Sequence, residues 1–179
     1  MRAAYDKIET RRTQMDDIGE QSSQLQVSQS YGVPVTAPYL IPVIHNATPS
    51  CINAPFMAEG HEYRVTSFAL QRPYGAVITD NLEEFDVSLH GKALSSHSLF
   101  PKGADIVFVE VETKNIIKAR LYEKDKGEVE FSKEGLCAAF VAAKLMQKTQ
   151  EDGAVVSMGG KSCLVEWDGV DGDVTLVSG

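Results

Sequence analysis

The sequence predicts an α+β fold in which an antiparallel β-sheet wraps as a barrel around one central, strongly apolar helix. Two observations lead there. Residues 132–150 place Leu136, Cys137, Phe140, Val141, Leu145 and Met146 on one helical face, the most apolar helical pattern in the chain. Short runs rich in β-branched residues lie both before and after it, and strands flanking a single apolar helix must share it as a common core. With 179 residues, 43% hydrophobic and 23% charged, the chain is long enough for one domain with such a core.

Each element follows from local chemistry. Residues 1–30 are rich in Gln, Ser, Asp and Arg and read as an extension. Within it Tyr5, Ile8, Met15 and Ile18 outline a weak amphipathic helix, and GEQSSQ from Gly19 has linker composition. The single domain is assigned to residues 31–179. Pro34, Pro38 and Pro42 exclude a helix and favour an edge strand or polyproline-like path, and residues 43–60 read as loop. EYRVTSFAL and YGAVITD read as strands, residues 82–94 as a helix entered through Asp80 and Asn81. ADIVFVEVE and NIIKARLYE form a hairpin turning at Lys114 and Asn115. Ser132 caps the apolar helix, which Asp152 and Gly153 stop. VVSM, SCLVEW and DVTLV close the chain as three strands between glycines.

Composition removes several classes of function. With 17 basic and 25 acidic side chains the net charge is −8, so a phosphate-backbone binder, which needs clustered Lys and Arg, is disfavoured. Cys51, Cys137 and Cys163 include no CxxC pair, and His45, His61, His90 and His97 lack metal-ligand spacing, so neither zinc nor a disulfide framework is expected. No apolar run has the length a bilayer demands. The expected setting is the reduced cytoplasm, without a membrane, a metal or a cofactor.

The order of segments resembles one family. QRPYGAVITDN, HSLFPKGADIVFVEV, ARLYEKDKGEVE, EGLCAAFVAAK, MGGKSCLVEWDG and LVSG are collinear with the GNPHAV, HPLFPxGTNVxFV, RVYERGxGET, ACGTGACAA, LPGGxLxIEW and MTGP elements of diaminopimelate epimerase and its cofactor-independent racemase and isomerase relatives. Upstream, VSQSYGVPVTAPYLIP is similar to the family's VxMGxPxFxPxxIP linker. The resemblance covers roughly residues 25–179 and implies one of the family's two pseudo-symmetric halves, each a barrel-like sheet around a central helix. The half bearing the GNGxRC motif has no counterpart in this sequence.

Epimerisation at an α-carbon needs two acid/base groups on opposite faces and donors for the substrate carboxylate. The resemblance implies two cysteines in that role, since a thiolate of reference pKa about 8.5 is easily populated and reprotonated, and backbone N–H groups at the helix start for the carboxylate. Here Ser132 stands at the second cysteine's position, and Lys133 and Glu134 replace the following Gly-Thr. Arg72 and Tyr74 replace Asn and His, Asp105 replaces a substrate-binding Asn, Glu123 is retained, and Lys124 replaces Arg. The catalytic candidates are therefore Ser132, Glu134 and Glu123, and the substrate-binding candidates Arg72, Tyr74, Asp105, Glu123, Lys124 and Lys133. Ser132 is more simply a helix cap than a nucleophile. Cys137 and Cys163 read as small core residues. The acidic residues of the last third read as a solvated face, and Trp167 fits either a core or an interface anchor.

Two functions are carried forward. The first is a catalytically degenerate epimerase-fold protein that binds, regulates or inhibits by protein–protein contact, with another protein or with itself as a C2 homodimer. The alternative is an isomerase of altered chemistry that uses a carboxylate base on a small carboxylic or amino acid. Nucleic acid is not an expected partner.

Overall fold

The computed structural model describes residues 26–41, 43–44 and 51–178. The amphipathic pattern at residues 5–18 lies outside them. Ten strands are arranged as β1 (Val27–Ser30), β2 (Ala54–Ala58), β3 (His61–Ala69), β4 (Pro73–Ile78), β5 (Asp105–Thr113), β6 (Ile116–Glu123), β7 (Gly127–Val129), β8 (Gly153–Met158), β9 (Lys161–Glu166) and β10 (Thr175–Ser178). Among the described residues there are also two α-helices, α1 (Val87–Ser95) and α2 (Lys133–Leu145). The sheet order is β1-β10-β9-β8-β6-β5-β4-β3-β2, with β7 paired to β6.

The core explains this order. α2 is buried from Glu134 to Ala143 and touches β4, β5, β6, β8, β9 and β10, as the central-helix expectation requires. Two expectations are corrected. The sheet does not close into a barrel: β1 and β2 stand at opposite ends of the strand order and do not pair with each other. Nor is it wholly antiparallel, because β4–β5 and β6–β8 are parallel. The parallel pairing has a cause in the core. Along β5, Val107 and Val109 join the cluster around α2, whereas Ile106 and Phe108 join a second cluster with Leu94 and Val87 of α1. A strand apolar on both faces needs cover on both, and a helical crossover supplies the cover and the parallel return together.

Local chemistry moves several boundaries. α1 starts at Val87 rather than at residue 82 because Asp86 Oδ1 accepts the Leu89 N–H at 3.0 Å. Residues 82–85 are held as a turn instead. Arg120 donates to the Leu82 and Phe85 carbonyls at 2.9 Å each while gripping Glu128 through Nε and Nη2. α2 stops at Leu145, short of residue 150, and Gln147 turns into the left-handed region at φ 57°. β2 runs through a stretch read as loop; its Pro55 is tolerated because β2 is an edge strand. β1 lies within the stretch assigned to the extension and pairs along its whole length with β10. The proline-rich stretch gives an isolated bridge, Val35 to Ala69, and a 3-10 turn at Pro38–Leu40. Trp167 is a core residue, 3% exposed, with its indole N–H on the Gly172 carbonyl at 3.0 Å.

Candidate functional site

Parallel pairing builds the site. Because β4 and β5 run in the same direction, with Tyr74 opposite Asp105, both strands begin at one end of the sheet. β6 runs antiparallel to β5, with Tyr122 opposite Ile106, so it finishes at that same end. The turn after β6 and the strand β7 then lead into α2. Arg72, Tyr74, Asp105, Glu123 and Lys124 thus converge from three strand ends that are far apart in sequence.

They divide into two groups. Arg72, Asp105, Glu123 and Lys124 line an open cleft of about 480 Å³, together with Lys102, Gly103 and Lys126. Asp105 lies at the back, its side chain 6% exposed; Arg72 Nη1 donates to its Oδ2 at 3.0 Å and the Lys124 backbone N–H to its Oδ1 at 3.0 Å. Burial depresses the Arg72 guanidinium, but Asp105, and after it Tyr74 and Glu134, outweigh that and hold it above its ordinary value. Lys124 Nζ donates to the Lys102 carbonyl at 2.6 Å, and Glu123, also buried, faces Lys126 Nζ at 3.4 Å. Every carboxylate in the cleft wall that could have served as a base is therefore already matched with a cation or a backbone donor, apart from the exposed Asp125.

The second group surrounds the start of α2 and does not line the cleft. Ser132 Oγ accepts the Gly135 N–H at 3.0 Å, the geometry of a helix N-cap. Lys133 is exposed. Glu134 turns inward, 7% exposed, and its Oε1 accepts the Tyr74 hydroxyl at 2.8 Å. A carboxylate in the first helical turn is favoured by the helix dipole. Burial first, and then the Glu134 charge and hydrogen bond, push the Tyr74 hydroxyl far above its ordinary value, so it remains a donor. One turn along, burial and then Glu134 push the Cys137 thiol up to about 12. It is a protonated core residue and no base near neutral pH.

Replacing Tyr74 by Phe leaves the Glu134 carboxylate buried without this donor, and we expect a loss of about 1.5–3 kcal/mol in urea unfolding, the usual worth of a hydrogen bond to a charged group. In a Glu134→Gln background the same substitution should cost markedly less. Equal costs in the two backgrounds would show that the pair is not coupled.

Among the described residues, no three His, Cys, Asp or Glu side chains are placed to hold a metal ion, no buried side-chain polar atom lacks a partner, and no helix is long and apolar enough to cross a membrane. Sequence reasoning missed Lys102 and Lys126. They sit three residues from Asp105 and Glu123, in the PKGAD and EKDKG turns, and glycine turns beside candidate site residues were the available signal.

Known proteins are similar to this chain over most of its length. Diaminopimelate epimerase of Oceanobacillus iheyensis is 29% identical over 143 residues, which cover 79% of this chain and 50% of that protein. The enzyme of Magnetococcus marinus is 29% identical over 158 residues, covering 88% and 55%. The chain thus spans about half the length of the curated relatives it matches. Among solved structures, a phenazine biosynthesis protein of the PhzF family from Enterococcus faecalis aligns with a TM-score of 0.43 at 7% identity, over 79% of this chain and 41% of that one. The family model of diaminopimelate epimerase matches residues 72–179, more than half of the chain, and the chain belongs to that family.

Proposed function

We propose that this chain is a binding module of the epimerase family in which proton transfer at an α-carbon has been lost, acting through contact with another protein or with a second copy of itself. The observation that carries this reading is the start of α2. The residue at the thiol's position, Ser132, spends its oxygen on the Gly135 N–H, and the next position but one holds a buried anion, Glu134, tied to Tyr74. A hydroxyl engaged as a cap, without an adjacent base, is a poor proton acceptor. An internal carboxylate beside the helix start repels an external one.

The test is isotopic. Purified protein is incubated with diaminopimelate in heavy water, and α-deuterium incorporation is followed by NMR. We expect none above the buffer blank; incorporation at enzymatic rates ends this reading.

A second reading is favoured by one observation, the burial of Glu134 next to an open polar cleft. Under it the protein is an isomerase of altered chemistry acting on a small carboxylic or amino acid, with Glu134, Glu123 or Asp105 as base. Glu134 is the strongest of the three, because Asp105 and Glu123 face cations. This alternative requires that Glu134→Gln abolish any turnover found while leaving the circular dichroism spectrum unchanged.

A further inference from the structure

The face of the sheet opposite α2 is covered unevenly. α1 packs there on β5, β6 and β7, and among the described residues no helix lies over β8, β9 and β10 on that side. The strand registers bring four apolar side chains into one cross-strand row. Ile116 faces Val155, Val155 faces Leu164, Leu164 faces Val177, and Val177 faces Ser28 of β1. Their sequence neighbours Ile117, Val156, Val165 and Leu176 turn the other way, into the cluster around α2, so this row points outward. Ile116 is 45% and Val155 44% exposed, and Leu164 and Val177 are half-buried. On one side the row is flanked by Ser157 opposite Ser162, on the other by Gly153 and Thr175, each opposite Glu166. Ser157, Ser162, Gly153 and Thr175 are short and leave room for a helix laid along the row, with Lys118, opposite Ser157, and Glu166 as charged side chains at its two margins.

Length and connectivity identify the occupant. From Ile116 to Ser28 the row crosses four strand spacings, about 19 Å. Tyr5, Ile8, Met15 and Ile18, on one face of the helical pattern, extend over about 20 Å at the helical rise. The chain enters β1 at Val27, beside the row's last residue, and eight mostly polar residues, 19–26, separate Ile18 from that point in the sequence. An uncovered row of this kind is also a liability, since exposed apolar side chains in line across strands promote association.

We propose that the outer row is the docking face for this chain's own residues 5–18, laid across it as an amphipathic helix. The inference is independent of whether the protein transfers protons, because it concerns the opposite face of the sheet. Limited trypsin digestion of the full chain under native conditions tests it, since Arg11 and Arg12 lie between the apolar anchors. Cleavage there should be at least about 10-fold slower than in a synthetic peptide of residues 1–25, because cleavage follows the population of the undocked form. Val155→Asp with Leu164→Asp should raise the rate to that of the peptide. Ile8→Asp, which leaves the sheet untouched, should do the same, whereas Val33→Asp, an exposed apolar site elsewhere, should not. Cleavage of the wild type at the peptide's rate, or protection that survives Ile8→Asp, overturns the proposal. Protection lost on dilution together with a dimer-to-monomer change in light scattering also overturns it and assigns the row to a second copy.

Discussion

Stability should fall steeply once the pH passes 9. The Cys137 thiol, raised from 9.0 to about 12 by burial and then by Glu134, keeps its proton in the folded state where the unfolded chain gives it up. Its stabilisation is therefore complete below pH 9 and is lost as the pH climbs towards 12. The linkage slope for one such group is about 1.4 kcal/mol per pH unit, or about 4 kcal/mol over the whole interval. Cys51, which burial pushes up to about 11, and Tyr74, whose shift begins to act above pH 10, work in the same direction. Urea unfolding followed by fluorescence of the buried Trp167 at pH 7.5, 9 and 10.5 measures the effect. Cys137→Ala should flatten the profile, and a wild-type profile already flat over that range contradicts the account.

The Gly159→Ala variant should be strongly destabilising for so small a substitution. Gly159 has φ 58°, and a Cβ there would lie 2.2 Å from the Glu130 carbonyl oxygen. Residues 130–132 form the approach to α2, so the clash is relieved only by moving the β8–β9 turn or the Ser132 cap. Left-handed backbone strain and overpacking each cost about 1–3 kcal/mol, and their sum should appear as a loss of about 2–6 kcal/mol. Gly160→Ala provides the control. It shares the left-handed backbone at φ 79° but meets nothing within 4 Å, so it should lose only about 1 kcal/mol. Equal losses in thermal unfolding would remove the steric part of the argument.

Both predictions depend on contacts between segments distant in sequence, which indicates what could be read in advance. α2 and the strands β3 to β6 were legible because their hydrophobic periodicity is local, and tertiary packing agreed with it. The Ser132 cap was legible for the same reason, since its hydrogen bond closes within three residues. β2 was not, because Pro55 and the neighbouring breakers argue for a loop, and only pairing with β3 stabilises an extended path there. The start of α1 was misplaced because Leu82 and Phe85, which look helical, are claimed by Arg120 from β6.

The candidate site divides along the same line. The sequence by itself determined which residue types stand at the family's positions, and hence that a hydroxyl and a carboxylate occupy the start of the central helix. Only the tertiary structure decided what those groups do. It turned Glu134 inward onto Tyr74, spent Asp105 on Arg72, and left the cleft beside the helix start rather than over it. It also left the sheet open, against the expected barrel. The physical reason is range: a helix or a cap is set by neighbours a turn away, whereas the partner of a buried charge and the closure of a sheet depend on residues brought together only by the fold.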